Sequence, residues 1–332
     1  MKTSPSETLL RLLAVVGPTA GGKTALSLAL AERLGGEILA CDSMQVYRGM
    51  DIGTAKPTPE ETARAPHHLI DLCDADESFS VASYVTAARA CICEVSARGK
   101  LPIFCGGTGL YLDGVLLGGS FEDTPHDDAV RARLQGEAAE PGGAAALYRR
   151  LCAVDPDSAA VIHPNNVKRV VRALEIYEVC GKPKSVLDTQ SRTRGMQYDA
   201  TVIGLRYRSR KLLGARIDRR VDDMMAAGLL DEVRALHAAG VFEKNTTAAQ
   251  AIGYKELLGA LGGEVEPEEA VNRLKLATRH YAKRQMTWFG AKDYVHWINA
   301  DTGEGSMRPF DDIVREAVEY VSRRDDRLTV ER

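Results

Sequence analysis

Leu12-Leu13-Ala14-Val15-Val16-Gly17-Pro18-Thr19-Ala20-Gly21-Gly22-Lys23-Thr24 is an apolar run that empties into a G-x-x-x-x-G-K-[ST] loop. A helix-like run, Ala25 to Leu34, follows it. Glycines in such a loop let successive backbone N–H groups turn inward, and the next helix begins with unpaired donors and a positive dipole end. Lys23 adds a point charge, and the Thr24 hydroxyl suits Mg²⁺. Residues Gly17, Pro18, Thr19, Ala20, Gly21, Gly22, Lys23 and Thr24 therefore read as a cradle for a di- or triphosphate.

Working outward, β-rich runs alternate with helical ones through residue 118. Strands are expected at Leu12–Val16, Glu37–Cys41, His68–Asp71 and Leu101–Cys105, with helices near 22–34 and 80–98. That alternation predicts an α/β core with a parallel sheet covered on both faces. Thr201–Leu205 and Val295–Ile298 read as later strands of the same sheet, with helices near 209–227, 229–239, 253–261 and 267–289 between them. Residues 122–199 are helical, strand-poor and punctuated by Pro125, Pro141-Gly142-Gly143 and Gly181-Lys182-Pro183. They read as a helical insertion between a first core part (1–121) and a second (200–300), with a C-terminal helix and a frayed tail over 301–332. The insertion's clearest helix is Val167 to Cys180, capped by Asn165-Asn166 and stopped by Gly181. Val167, Val170, Val171, Leu174 and Tyr177 share one face, and Lys168, Arg169 and Arg172 lie opposite.

Composition narrows the class. The 332 residues are 45% hydrophobic and 27% charged, ordinary for a globular protein. No apolar run approaches the roughly 20 residues of a membrane span, and the polar start lacks a signal peptide's apolar segment. Seven cysteines include no C-x-x-C pair, which predicts reduced thiols, a cytoplasmic setting and no zinc site. The net charge of −3 hides a segregated distribution. Arg206, Arg208, Arg210, Lys211, Arg216, Arg219 and Arg220 face a single Asp218, and residues 271–292 hold six Lys or Arg with no acid. A solvated helix face and a polyanion partner are both consistent with that density.

Functional groups in an open α/β sheet gather at the carboxyl ends of strands. Cys41-Asp42-Ser43-Met44-Gln45 and Cys105-Gly106-Gly107-Thr108-Gly109 are two such ends besides the loop. Asp42 suits a metal ligand, a general base or a turn cap, and Thr108 a substrate hydroxyl contact or a helix cap. The Leu101–Cys105 strand ends in Gly-Gly-Thr rather than the Asp that holds Mg²⁺ in NTPases of this class. A motor or GTPase is thereby disfavoured, while a small-molecule kinase or a transferase using a diphosphate stays open.

Several stretches in fixed order resemble bacterial tRNA dimethylallyltransferases, the tRNA isopentenyltransferase family. They are Gly17–Thr24, Asp42–Tyr47, Gly49–Pro57, Pro66–Asp71, Gly106–Tyr111, Ile162–Asn166, Ala173–Glu175, Ala251–Glu256 and Ala282–Trp288. The resemblance implies a P-loop NTPase-like parallel sheet core with a helical insertion that grips the anticodon stem of tRNA. It implies transfer of a dimethylallyl group from dimethylallyl diphosphate to N6 of adenine 37 in tRNAs reading codons that begin with U. Asp42 would be the base and Thr108 a positioning group. Lys23, with Mg²⁺ on Thr24 and either Arg216 or Arg220, would hold the diphosphate. Contacts to tRNA would come from Asp42, Ser43, Met44, Gln45, Thr108, Arg131, Lys168, Arg169, Val170, Val171, Arg172, Gln250, Ala251, Ile252, Gly253, Tyr254 and Lys255. A monomer with no membrane partner is expected. The alternatives are a dimethylallyltransferase acting on free adenine nucleotides and a P-loop kinase.

Overall fold

The computed structural model describes residues 9–118, 127–193, 195–303 and 305–324. Six strands form one all-parallel sheet: β1 Arg11–Val16, β2 Gly36–Cys41, β3 His67–His68, β4 Leu101–Gly106, β5 Asp199–Arg206 and β6 Val295–Asn299. Their order is β3-β2-β4-β1-β5-β6. β1 lies between β4 and β5, with Leu13 opposite Ile103 and Thr201. Helices cover both faces of such a sheet, so a central strand is largely apolar; after Arg11, β1 runs from Leu12 to Val16 almost wholly buried.

Helix Lys23–Leu34 starts at Gly22 and stops at Gly35, both in the left-handed region, at φ 92° and 66°. Leu26 and Leu30 join Leu13, Ile38, Ile103 and Ile203 in the main core, and helix Phe310–Arg324 adds Ile313, Val314, Ala317 and Val321. The strand expected at His68–Asp71 shrinks to two residues. Leu69 and Asp71 take positive φ, which an extended strand excludes.

By its internal packing the chain forms two units: the sheet with its helices, and Asp113–Gln197. The expected boundary near 121–122 and the tail beyond Arg324 lie outside the described residues. The second unit is a cluster of helices whose core includes Leu134, Leu147, Leu151, Val170, Val171 and Leu174. Helix Val167–Cys180 has Asn166 at its start, accepting from the Arg169 N–H, and Gly181 at φ 67° at its end. On the buried face of this helix Glu175 is fully buried; its carboxylate accepts two hydrogen bonds from Arg131, at 3.0 and 3.2 Å. A further nitrogen of Arg172 lies 2.9 Å away, within ion-pair range. Burying a lone carboxylate is prohibitive, so Arg131 and Arg172 are committed to it.

Candidate active site

The loop after β1 departs from ordinary backbone at three residues: Gly17 at φ 135°, Ala20 at φ 58° and Gly22 at φ 92°. A Cβ on Gly17 would meet the Leu205 carbonyl oxygen at 2.5 Å, so close packing against β5 as well as φ requires glycine there. Three contacts brace the loop from outside. The Gln285 amide oxygen accepts from the Thr19 N–H at 2.7 Å, Tyr207 donates to the Gly21 carbonyl at 3.2 Å, and Arg216 donates to the Ala20 carbonyl at 3.0 Å. The N–H groups of Gly22, Lys23 and Thr24 have no acceptor among the described residues. They are the free donors that every helix start carries. The Lys23 ammonium closes back on the Pro18 carbonyl at 2.9 Å. Burial, helped by the Arg220 charge, pulls its pKa down to about 8.

Asp42 leaves the end of β2 and accepts the Met44 N–H on Oδ1 at 2.9 Å, an Asx turn that leaves Oδ2 without a hydrogen bond among the described residues. One oxygen of Asp42 thus caps the turn, as one of its three readings has it, while the side chain also lines the cleft. Thr108 does not line the cleft. Its hydroxyl accepts from the Ser43 N–H at 3.1 Å, and its own N–H donates to the Cys41 carbonyl at 3.1 Å. It ties the tip of β4 to the turn that carries Asp42. The glycines around it serve close approach to the protein itself. A Cβ on Gly106 would lie 2.0 Å from the Cys41 oxygen, on Gly107 1.8 Å from the Gln285 amide, and on Gly109 2.2 Å from the Trp288 ring.

The cleft holds about 600 Å³ of space, partly open to solvent. Lys23 and Arg220 supply its positive charge and Asp42 its negative one, with Tyr281 and Gln285 beside them. Arg220 has no hydrogen bond or ion pair among the described residues, and burial lowers its pKa while Asp42 and Glu61 oppose the shift. A half-buried guanidinium with no carboxylate partner among the described residues suits an anion. Of the two candidate arginines, Arg220 thus faces the cleft and Arg216 props the loop. The rest of the lining is mixed: Ile38, Ala40, Ala55 and Pro57 are apolar, and Thr19, Gln45, Thr54 and His67 are polar. Ile38, Ala40 and Asp42 alternate along β2 and its exit, as residues on one face of a strand must.

Sequence reasoning missed Gln285, Tyr281 and His67 as parts of this site. Gln285 is almost wholly buried and bridges Thr19 to the Gly107 carbonyl at 3.2 Å. Burial and the nearby Asp42 push the Tyr281 hydroxyl well above its usual pKa. His67 is bound through Nδ1 to the Ala65 carbonyl, and its buried Nε2 has no partner among the described residues.

The residues expected to touch RNA separate by burial. Lys168, Arg169, Gln250 and Lys255 are exposed; Ser43, Met44, Gln45 and Ile252 are half-buried. Val170, Val171, Ala251 and Tyr254 are buried, and Gly253 contributes only backbone, which takes those side chains off any RNA-facing surface. A contiguous motif on a helix includes its inward face as well as its outward one. Arg131 and Arg172 hold Glu175, as described. In the acid-free run, Lys275 pairs with Asp222 at 2.6 Å and Arg279 with Asp218, both on helix Arg210–Ala226. Lys283 and Arg284 are exposed, and Arg284 lies over the Tyr281 ring at 5.5 Å.

A parallel sheet, a phosphate loop and a cleft pairing two cations with a carboxylate define a P-loop transferase core. The IPP transferase family model matches residues 45–292 and the isopentenyl transferase model residues 10–74. The tRNA dimethylallyltransferase of Geobacillus kaustophilus is 48% identical over 313 residues, covering 94% of this chain and 96% of the relative. That of Bacillus velezensis is 50% identical over 286 residues, covering 86% and 89%. The tRNA isopentenylpyrophosphate transferase structure from Bacillus halodurans superposes with a TM-score of 0.69 at 44% identity, over 95% of this chain and 96% of that one. A eukaryotic dimethylallyltransferase acting on tRNA gives a TM-score of 0.77 at 29% identity, over 95% of this chain and 80% of that one. The chain belongs to the IPP transferase family.

Proposed function

We propose that this protein transfers the dimethylallyl group of dimethylallyl diphosphate to N6 of adenine 37 in tRNAs reading codons that begin with U. The observation that carries this reading is one cleft in which Asp42 faces Lys23 and Arg220. An adenine amine is a weak nucleophile, because its lone pair is delocalised into the ring. As N6 bonds to C1 of the isoprenoid, the C1–O bond breaks and its electron pair leaves with the diphosphate. The proton displaced from N6 goes to Asp42 Oδ2. Charge growing on the diphosphate meets Lys23, Arg220 and the free N–H groups of Gly22, Lys23 and Thr24. The target base must leave its stack to reach such a site.

The Thr24 side chain borders the cleft at the loop end. Among the described residues no cluster of three His, Cys, Asp or Glu could hold a metal by itself. Thr24 and the diphosphate oxygens are the donor set we propose for Mg²⁺, whose bound charge would add to that of the two cations. Among the described residues no helix is long and apolar enough to cross a membrane.

The test combines the purified protein with Mg²⁺, radiolabelled dimethylallyl diphosphate and unmodified tRNA, with AMP as a parallel acceptor. Label in tRNA that disappears when adenine 37 is replaced is the expected result. Label confined to AMP would move the activity to free nucleotides. Label in neither, with ATP consumed on a small hydroxyl substrate, would make the protein a kinase.

Binding of tRNA should depend on Lys168 and Arg169, an exposed basic pair on helix Val167–Cys180. Replacing both by Ala is expected to lower the log–log salt slope of binding by about 0.7–0.9 for each phosphate the pair neutralises. Arg172→Ala should instead reduce thermal stability, because Glu175 is deprived of a counter-charge. An unchanged slope in the double variant would remove this face from the RNA interface.

A further inference from the structure

Two motifs of the sequence have no part in the chemistry above: Gly49–Pro57, and the Gly253-Tyr254 pair. The structure joins them through one carboxylate. Glu232, on helix Leu229–Ala238, accepts the N–H of Asp51 at 2.9 Å, of Ile52 at 2.7 Å and of Gly53 at 3.1 Å. It also accepts the hydroxyl of the fully buried Tyr254 at 2.6 Å. Gly53 is pressed against that tyrosine so closely that a Cβ would lie 2.7 Å from its ring. Three successive N–H groups converging on one carboxylate are charge-assisted bonds that fix a segment's path.

The segment fixed in this way is the wall of the cleft. Immediately after Gly53 come Thr54, Ala55 and Pro57, all lining residues, and Ala55 is held at φ 49°, a left-handed conformation rare for a residue with a Cβ. Gln45, three residues beyond Asp42, donates to the Thr54 and Ala55 carbonyls at 3.1 and 3.0 Å. Lys56 ties the far side to the Tyr47 carbonyl, Asp51 and Asp71.

We propose that Glu232 is a positioning residue of this active site: it holds the 51–57 loop as the wall against which the isoprenoid tail packs. The proposal rests on the diphosphate reading of the phosphate loop. With the phosphates at Lys23 and Arg220 and the acceptor at Asp42, the apolar lining left for the tail is Ile38, Ala40, Ala55 and Pro57, and the last two ride on this loop. Glu232 is not part of the cleft lining and acts through the backbone of Asp51–Gly53 and the Tyr254 hydroxyl. Removing it orphans three adjacent N–H groups and frees the strained turn at Ala55.

The test compares calorimetric binding of dimethylallyl diphosphate and of inorganic pyrophosphate to the full-length protein and to Glu232→Ala and Glu232→Gln. The two ligands share the phosphate contacts and differ in the tail. For Glu232→Ala we expect about tenfold weaker binding of dimethylallyl diphosphate, with pyrophosphate within twofold. Glu232→Gln, which keeps one acceptor oxygen and the side chain's size, should fall between. In turnover the same variants should raise KM for dimethylallyl diphosphate and leave KM for tRNA within twofold. Equal weakening of both ligands, or unchanged binding with only a lower melting temperature, would make Glu232 a structural residue and overturn the proposal. Unmodified protein that binds pyrophosphate as tightly as dimethylallyl diphosphate would instead refute the isoprenoid reading itself.

Discussion

Asp42→Asn is expected to lower turnover with tRNA by about 10²–10⁴-fold while tRNA affinity stays within a few-fold, the range over which a positioned general base contributes. The geometry makes this substitution cleaner than most. Asp42 uses Oδ1 to accept the Met44 N–H, and an asparagine oxygen accepts the same bond. The turn, its Ser43 link to Thr108 and the Gln45 link to the loop wall all survive. What disappears is the negative charge and the capacity of Oδ2 to take a proton. Asp42→Ala removes the turn as well, so its larger loss would mix geometry with chemistry. Single-turnover rates with excess enzyme isolate the chemical step, and filter binding gives the tRNA affinity. An Asn variant retaining half the normal rate would remove Asp42 as the base.

The legible parts of this molecule were those governed by local rules. The run at β1, the glycines flanking helix Lys23–Leu34 and the Asn166–Gly181 frame of helix Val167–Cys180 all act over a few residues. Contacts across the chain were not legible. Gln285 reaches the phosphate loop from 266 residues away and Glu232 reaches the cleft wall from about 180. Nothing in an Ala-Lys-Arg-Gln stretch or in Leu-Asp-Glu-Val announces those partners. The glycines of Gly106-Gly107-Thr108-Gly109 are sites of close approach. What approaches is Cys41, Gln285 and Trp288, which only the folded chain brings there. Similarly, the sequence left the acid-free run at 271–292 open to a solvated face or a polyanion, and could not show that Asp218 and Asp222 meet Arg279 and Lys275 from a neighbouring helix.

Arg220→Gln is expected to reduce kcat/KM for dimethylallyl diphosphate by about 10²–10³-fold, the usual loss when one preorganised donor to a developing anion is removed. Arg216→Gln should cost less than tenfold, because Arg216 meets only the outer carbonyl of Ala20. Equal losses would end the distinction drawn between the two. The same clamp carries a pH signature through Lys23. Its pKa in the free protein is lowered to about 8, so the ammonium is present below that pH and is lost above it. Since kcat/KM reports ionisations of the free enzyme, it should fall as pH rises through about 8, approaching tenfold per unit. Bound diphosphate favours the ammonium and draws its pKa back up. The fall in kcat must therefore come at higher pH than the fall in kcat/KM. In Arg220→Gln the guanidinium no longer opposes the ammonium, so the kcat/KM limb should move upward in pH even as its height drops. A limb that stays in place, or a profile flat from pH 7 to 10, would mean that the charge of Lys23 is not what holds the leaving group.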